Sequence, residues 1–158
     1  MDHLIAQLDA GYLEVVELYQ QLSVLAQSIA KGLETGQWEG IDKQLGEKQV
    51  IMDKIDVREA ELSQLREKIR QELGLDEFSL SALPAHPSVT KFNNTIDQLM
   101  DVIEELQKWE KNNEDMLRKL VAGVQDQIKD FTRSKRAAKA YSPGPGSYGE
   151  ARFVDEKK

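Results

Sequence analysis

The chain has 158 residues, of which 40% are hydrophobic, 31% charged and 6% aromatic. Its 28 Asp and Glu outnumber its 21 Lys and Arg, and the formal net charge of -7 disfavours general binding to nucleic-acid phosphates. The chain has no Cys, which excludes disulfides, thiolate catalysis and sulfur-ligated zinc. No uncharged run reaches the roughly 18 residues of a membrane span, so we expect a cytoplasmic protein without stable membrane insertion.

The first half of the sequence predicts two helices joined by a tight turn. Apolar residues recur at every third or fourth position over residues 4–33, which is typical of one face of an α-helix. Gly36 and Gly40 then bracket a turn, and a less regular stripe over residues 41–73 predicts a second helix. Gly74 is expected to cap that helix, because glycine adopts the left-handed conformation without strain. The start Met1-Asp2-His3 lacks the basic residues of a signal peptide, so we expect none.

The prolines divide the second half. They lie in two clusters, Pro84 with Pro87 and Pro143 with Pro145, and the stretch between the clusters is free to form one long helix. Residues 75–87 are predicted as a connection with one short helical turn. Ser88 is the expected N-cap of a third helix that continues to about residue 140, roughly 80 Å at 1.5 Å per residue.

The predicted fold is therefore all-α. It is an elongated antiparallel three-helix bundle, up-down-up, with a longer third helix, over residues 1–140. A flexible tail is predicted over residues 141–158, which are rich in Ser, Pro and Gly and then charged. No segment alternates with period two over the length of a strand, so no sheet is predicted.

Catalytic patterns are weak, and we predict no enzyme, no cofactor and no metal site. His3 and His86 stand apart from any Glu-x-x-His pair of a di-iron bundle, and the acidic groups at 14/17 and 101/104/105 lie off the apolar stripes. Residues 144–149 match G-x-G-x-x-G but lack the preceding strand and following helix of a nucleotide loop. Basic residues near the end of the third helix fit its macrodipole better than a nucleic-acid site. Met52, Met100 and Met116 are predicted to fill the core.

The lengths of the helices point to a partner surface. If the third helix begins beside the end of the second, it reaches the level of the first turn near residues 121–123, and everything beyond overhangs. Val124, Ile128 and Phe131 then lack partners in the monomer, and an exposed apolar stripe of this kind usually marks an interaction site. Three readings stay open: a different protein covers the stripe, a second copy pairs with it, or the helix bends at Gly123 and packs back on the turn.

Several short motifs, in order, resemble the FlgN/FliT type of flagellar export chaperone. Residues 36–41 (Gly-Gln-Trp-Glu-Gly-Ile) followed by Glu-Lys-Gln at 47–49 are similar to a stretch of that family, and residues 112–117 resemble its Asn-x-x-Leu-Leu stretch. Tyr141 opens a segment similar to the family's Tyr-Gly tail, although the next residue here is Ser142. Residues 152–158 resemble its basic, aromatic and Asp-Lys-Lys ending. The resemblance covers most of the chain and does not separate the FlgN from the FliT subtype.

The resemblance implies a cytosolic helical chaperone without ATPase activity, working in type III protein export during biogenesis of the bacterial flagellum. Such chaperones hold hook-associated subunits of the hook–filament junction and deliver them to the membrane export gate. The end of the third helix, here Val124, Ile128 and Phe131, would bind an amphipathic client helix, and Tyr141 would contact the gate, with Tyr148 and Phe153 as rival aromatic anchors. The alternative is a homodimeric coiled-coil scaffold that uses the same stripe symmetrically.

Overall fold

The computed structural model of the chain describes residues 1–141, which fold into three long α-helices and one short 3-10 helix. Helix α1 spans Asp2–Thr35, α2 spans Ile41–Leu73 and α3 spans Pro87–Tyr141, and the 3-10 helix Leu80–Ala82 lies in the connection before α3. No strand occurs within these residues, and the prediction of an all-α three-helix fold is confirmed. No helix of residues 1–141 combines the length and the apolar character needed to cross a bilayer.

Glycines set the ends of the first two helices. Gly36, Gly40 and Gly74 have φ angles of 70°, 87° and 64°, a left-handed conformation that costs other residues steric strain. Gly36 ends α1 and donates its backbone N–H to the carbonyl oxygen of Gly32. Gly74 ends α2 in the same way, with its N–H directed to the carbonyls at the end of the helix. The predicted tight turn and the predicted cap at Gly74 are both present.

The N-cap of α3 lies two residues before the predicted one. The helix begins at Pro87, and Ser88, the predicted N-cap, lies inside the first turn. Proline suits this first position because it lacks the N–H that the helix would leave unpaired. His86 takes the capping role: its Nδ1 accepts the backbone N–H of Ser88 at 3.3 Å, and its carbonyl oxygen accepts the N–H of Val89 at 3.0 Å.

By its packing the chain divides into two compact units, Met1–Met116 and a second unit that begins at Leu117. In the first unit, called the bundle below, the order of contacting residues gives the directions of the helices. Early residues of α1 contact late residues of α2, whereas α1 and α3 contact each other in the same order. The pairs are Glu14–Arg58, Ser28–Gln44, Asp9–Thr95 and Ala26–Asn113. The bundle is therefore up-down-up, as predicted.

Two apolar clusters form the core of the bundle. The larger one, near the start of α1, contains the most deeply buried side chains of the described chain: Phe92, Ile5, Leu8, Ile69 and Val15. The second lies further along and comprises Leu22, Ala26, Ile51, Ile55 and Leu106, with Trp109 packed against it. Most of these positions belong to the predicted stripes.

Two of the three methionines predicted in the core are on the surface. Met52 is 42% exposed and Met100 is 62% exposed, whereas Met116 is half-buried. Each exposed methionine directly follows a buried residue, Ile51 or Leu99. Successive helical residues are about 100° apart, so the buried neighbour occupies the inner position and the methionine is rotated away from it.

Buried polar groups fix how α1 and α3 pair. The Thr95 hydroxyl donates to a carboxylate oxygen of Asp9 at 2.5 Å, and Lys91 Nζ lies 3.3 Å from the other oxygen. Asn113 is buried, and its Nδ2 donates to the Ala26 carbonyl oxygen at 2.9 Å. Because an unpaired buried polar group costs about 1–3 kcal/mol, sliding α3 along α1 is unfavourable. Asn113, which lies in the motif at residues 112–117, thus helps to set the register of α3 against α1.

Helices α1 and α2 pack tightly around Gly11. A Cβ atom added there would collide with the side chain of Leu62, which is itself buried. We expect Gly11→Val to destabilise the bundle by about 1–3 kcal/mol, the usual cost of overpacking a filled core. Gly46→Val is the matched control, because nothing lies within 4 Å of a Cβ at that helical position. Urea unfolding of the two variants checks the close contact, and equal stabilities would contradict it.

The second unit is described as far as Tyr141, the last residue of α3. Sequence analysis placed Tyr141 in the tail, but no helix breaker precedes Pro143, so the helix includes it. The helix also passes through Gly123 without interruption. The predicted flexible tail, with Tyr148 and Phe153, lies outside the described residues apart from Tyr141, and the domain boundary after residue 140 stays a prediction.

Candidate partner-binding surface

The C-terminal segment of α3, residues 117–141, is helical throughout and almost wholly solvent-exposed. It contains no proline, and its single glycine, Gly123, costs a helix only about 1 kcal/mol relative to alanine. Every residue from 121 to 141 is exposed, and Leu120 is half-buried. The side chains of residues 121–141 are therefore accessible to a partner.

One face of this segment carries apolar side chains in contact with water. We call these residues the exposed row: Leu117, Val121, Val124, Ile128 and Phe131. Val124, Ile128 and Phe131, the three that sequence analysis selected, are 54%, 59% and 70% exposed. They lie within seven residues, about 10 Å along the helix axis, and the structure brings them together on one face.

Within the bundle, α3 has a second apolar face, and that face is buried. There Phe92, Leu99 and Leu106 are at most 8% exposed, although their spacing along α3 resembles that of the exposed row. Exposed large apolar side chains at regular helical spacing leave apolar area in water that a partner can remove. The exposed row is therefore the best candidate for a binding surface in the described part of the chain.

Among residues 1–141, Tyr141 is the most exposed of the large hydrophobic side chains, at 88%, but it does not belong to the row. It follows Phe131 by ten residues, which at about 100° per residue turns it roughly 80° away from Phe131. The structure therefore places the four predicted site residues in two places: three in the row and Tyr141 at the helix end.

Sequence analysis missed Val121 as part of this surface. Leu120 and Val121 both continue the spacing of three or four residues from Leu117. Leu120 is half-buried, whereas Val121 is 55% exposed. The spacing of three residues between Val121 and Val124 was the available indication, but spacing alone does not distinguish two adjacent apolar residues.

The charge of the C-terminal segment is opposite to that of the bundle. Residues 117–141 contain seven Lys and Arg against two Asp, a net charge of +5, whereas residues 1–116 contain 11 Lys and Arg against 23 Asp and Glu, a net charge of -12. The exposed row thus lies in a basic environment on an otherwise acidic chain. A partner of negative charge would be attracted to this segment.

Among residues 1–141, several titratable groups with shifted pKa lie where α1 and α2 pack together in the bundle. Burial raises the pKa of Glu59, and burial together with the nearby Glu59 and Asp56 carboxylates raises the pKa of Tyr19. Arg66 contacts both Glu59 and the Tyr12 hydroxyl, and burial lowers its pKa. These groups join α1 to α2 through polar contacts, and sequence analysis did not identify them because their pairing depends on the packed helices.

The two histidines have local structural partners. His3 pairs with Gln7 one turn later at 3.0 Å, and His86 caps α3, with its Nδ1 3.2 Å from Asp2 Oδ1. Of the acidic groups, Glu14 pairs with Arg58 at 2.6 Å. Within residues 1–141 no cluster of three or more His, Asp or Glu side chains is arranged to hold a metal ion.

Comparison with known proteins adds one match. A family model described as FlgN protein matches residues 1–147, a range that includes the whole exposed row and Tyr141. No curated protein and no solved structure matches the chain.

Proposed function

The chain belongs to the FlgN protein family, and we propose that it is a cytoplasmic flagellar export chaperone for hook-associated subunits. The family is one of chaperones rather than enzymes. The observation that carries the proposal is the exposed row, a regular apolar face whose large side chains are exposed to water. A chaperone that holds an aggregation-prone helix needs such a face.

In the proposed mechanism the client contributes an amphipathic helix. Its apolar face would lie along Val124, Ile128 and Phe131, and both surfaces would leave water together. While it is held, the client helix cannot aggregate or assemble early. Because the client must also be released, we expect a dissociation constant between about 1 μM and 1 nM, or roughly -8 to -12 kcal/mol.

Delivery to the export gate is assigned to Tyr141. Its ring is almost fully exposed at the end of α3, away from the exposed row. An aromatic ring in this position can enter a pocket on a second protein while its hydroxyl forms a hydrogen bond. Client and gate would therefore be bound by different residues of one helix.

We expect Tyr141→Ala to leave client affinity within about twofold, because a surface substitution outside the interface changes binding little. Secretion of hook-associated subunits should fall. The measurement is the amount of these subunits in the culture medium of a strain that carries the variant, alongside calorimetric titration with the client. Tyr148→Ala and Phe153→Ala, which replace the rival aromatics, serve as controls. Loss of client binding by Tyr141→Ala would contradict this division of roles.

The function itself is tested by co-purification. The full-length chain, captured from a flagellated host, should bring down hook-associated subunits that mass spectrometry identifies, in one-to-one stoichiometry. Recovery without any flagellar subunit would contradict the proposal. Sedimentation of the isolated chain tests the alternative of a homodimeric scaffold: a mass of 17.9 kDa supports a chaperone monomer, and twice that mass, lost on truncation of the exposed row, supports the scaffold.

A further inference from the structure

The exposed row has the spacing of a coiled-coil seam. From Leu117 to Phe131 its members are separated by four, three, four and three residues, which is the alternation of the a and d positions of a heptad repeat. This gives a narrow apolar face, and faces of this width pair with another helix through knobs-into-holes contacts. The next two seam positions are occupied by Lys135 and Ala138.

Cationic side chains flank this seam on one side only. Lys139 lies directly beside it, in an e position, and Lys129 and Arg136 lie one position further out on the same side. With Lys135, which is in the seam, we call these four residues the basic edge. The positions directly beside the seam on the other side are neutral: Leu120, Gln127 and Ser134.

The cations of the basic edge have no anionic partner within the described chain. All four side chains are exposed, and none of them takes part in an ion pair of residues 1–141. In the bundle, by contrast, cations such as Lys48 and Arg58 pair with carboxylates of a neighbouring helix. The basic edge is thus available for charges supplied from outside these residues.

We propose that the occupant of the exposed row is a helix with an acidic flank, aligned so that its carboxylates meet the basic edge. This inference rests on the proposed function and specifies the chemistry of the client segment. Apolar contacts along the seam would supply most of the affinity, and the carboxylates would select the partner and its orientation. A carboxylate opposite Lys135 would fix the register, as single polar residues at a positions do in coiled coils.

A second copy of the chain fits this surface poorly. In a parallel pair of these segments, Lys135 of one copy faces Lys135 of the other at an a position. Each copy would also bring a net charge of +5 on residues 117–141 to the interface. Juxtaposed like charges oppose such pairing, so the charge pattern favours a different, acidic protein.

An anionic membrane surface is also a poorer fit. Interfacial helices bury a wide apolar face with a uniformly basic polar side. Here the apolar face is a narrow seam, and the opposite side includes Asp126 and Asp130. A protein helix with complementary charge satisfies both the seam and its one-sided flank.

The test is a selection with the full-length chain as bait. The probe is a displayed library of helices of about four heptads, with Leu and Ile fixed in the seam and both flanks randomised among Glu, Gln and Lys. We expect Glu to exceed Lys on one flank of the recovered helices by roughly tenfold, equivalent to about 1.4 kcal/mol, with no preference on the other flank. The preference should weaken in 1 M salt, where the Debye length is about 3 Å.

Two variants with the same change in net charge show which side of the helix produces the preference for Glu. Lys135→Glu/Lys139→Glu reverses two charges of the basic edge and should invert the preference from Glu to Lys. Lys119→Glu/Arg133→Glu makes the same change in net charge on the side of the helix opposite the seam, and should leave the preference for Glu in place. Thermal melting confirms that both variants keep the bundle.

Other outcomes overturn the inference. The inference fails if the selection recovers no helices, if the recovered helices show no preference for Glu on either flank, or if the two variants change that preference equally. Binding to phosphatidylglycerol–phosphatidylcholine vesicles without helix selection would identify a membrane as the occupant, and a dimer lost in Ile128→Ala/Phe131→Ala would identify a second copy. If the chain captures hook-associated subunits but the selected helices show no preference for Glu, only this inference is overturned. If the selected helices prefer Glu but no hook-associated subunit is captured, only the proposed function is overturned.

Discussion

Replacing Phe92 by Ala should destabilise the bundle by about 3–5 kcal/mol, the range measured for large aromatic-to-alanine changes in protein cores. Phe92 is only 1% exposed, and its ring centroid lies 5.6 Å from that of Tyr12. It belongs to the larger cluster, where α1, α2 and α3 all contribute side chains. Removing the ring loses apolar burial and leaves a cavity that the rigid helices cannot close. Circular dichroism should show a melting temperature lower by roughly 10 °C or more.

Phe131→Ala is the matched control for that experiment. It makes the same chemical change in the same helix, but at a side chain that is 70% exposed. We expect its effect on stability to stay within about 0.5 kcal/mol, as for most surface substitutions. If Phe92→Ala melted like Phe131→Ala, the packing assigned to α3 in the bundle would be wrong.

The double variant Ile128→Ala/Phe131→Ala should bind the client more weakly by one to three orders of magnitude. If these side chains are central anchors, truncating both removes roughly 2–5 kcal/mol of interaction. Because both are exposed in the free chain, their loss costs the bundle little, and the weaker binding can be separated from unfolding. Isothermal titration with a purified hook-associated subunit gives the dissociation constant directly.

The control for the double variant is Val57→Ala/Met100→Ala. These two apolar side chains are 63% and 62% exposed, comparable to the pair in the exposed row, but they lie in the bundle. The control should keep the parental affinity. Equal losses in both variants would mean that apolar surface in general, rather than the exposed row, holds the client.

The sequence was sufficient to predict the helices because their ends depend on local chemistry. The predicted span of α2, 41–73, agrees with the structure, since glycine at 40 and 74 leaves the helical conformation. The N-cap of α3 was predicted two residues too late, because Ser88 and the His86–Pro87 pair both have capping properties. Only the geometry around His86 distinguishes them.

Burial of polar residues could not be predicted, because it depends on which helices meet. Asp9 and Thr95 are 86 residues apart and form a buried hydrogen bond, and Asn113 is paired with a carbonyl of α1. The apolar pattern of one helix alone predicts that these polar residues interrupt the apolar face or lie on the surface. For the same reason Met52 and Met100 were predicted in the core although they are one residue away from it.

The position of the candidate surface along the chain could be predicted from the sequence, but the full set of residues in it could not. The repeated spacing through Val124, Ile128 and Phe131 marks the row, and their exposure agrees with a role in binding. Val121 could not be separated from Leu120, since two adjacent apolar residues satisfy the same periodicity. The roles of the row and of Tyr141 stay proposals.

Site-specific photo-crosslinking in cells tests the central claim most directly, namely that the exposed row holds the client. A photoreactive phenylalanine derivative placed at position 128 reports contact at the row, and the same derivative at position 57 reports contact at a comparably exposed site in the bundle. We predict that position 128 yields a covalent adduct with a hook-associated subunit and that position 57 yields none. An adduct at position 57 with none at position 128 would contradict the account.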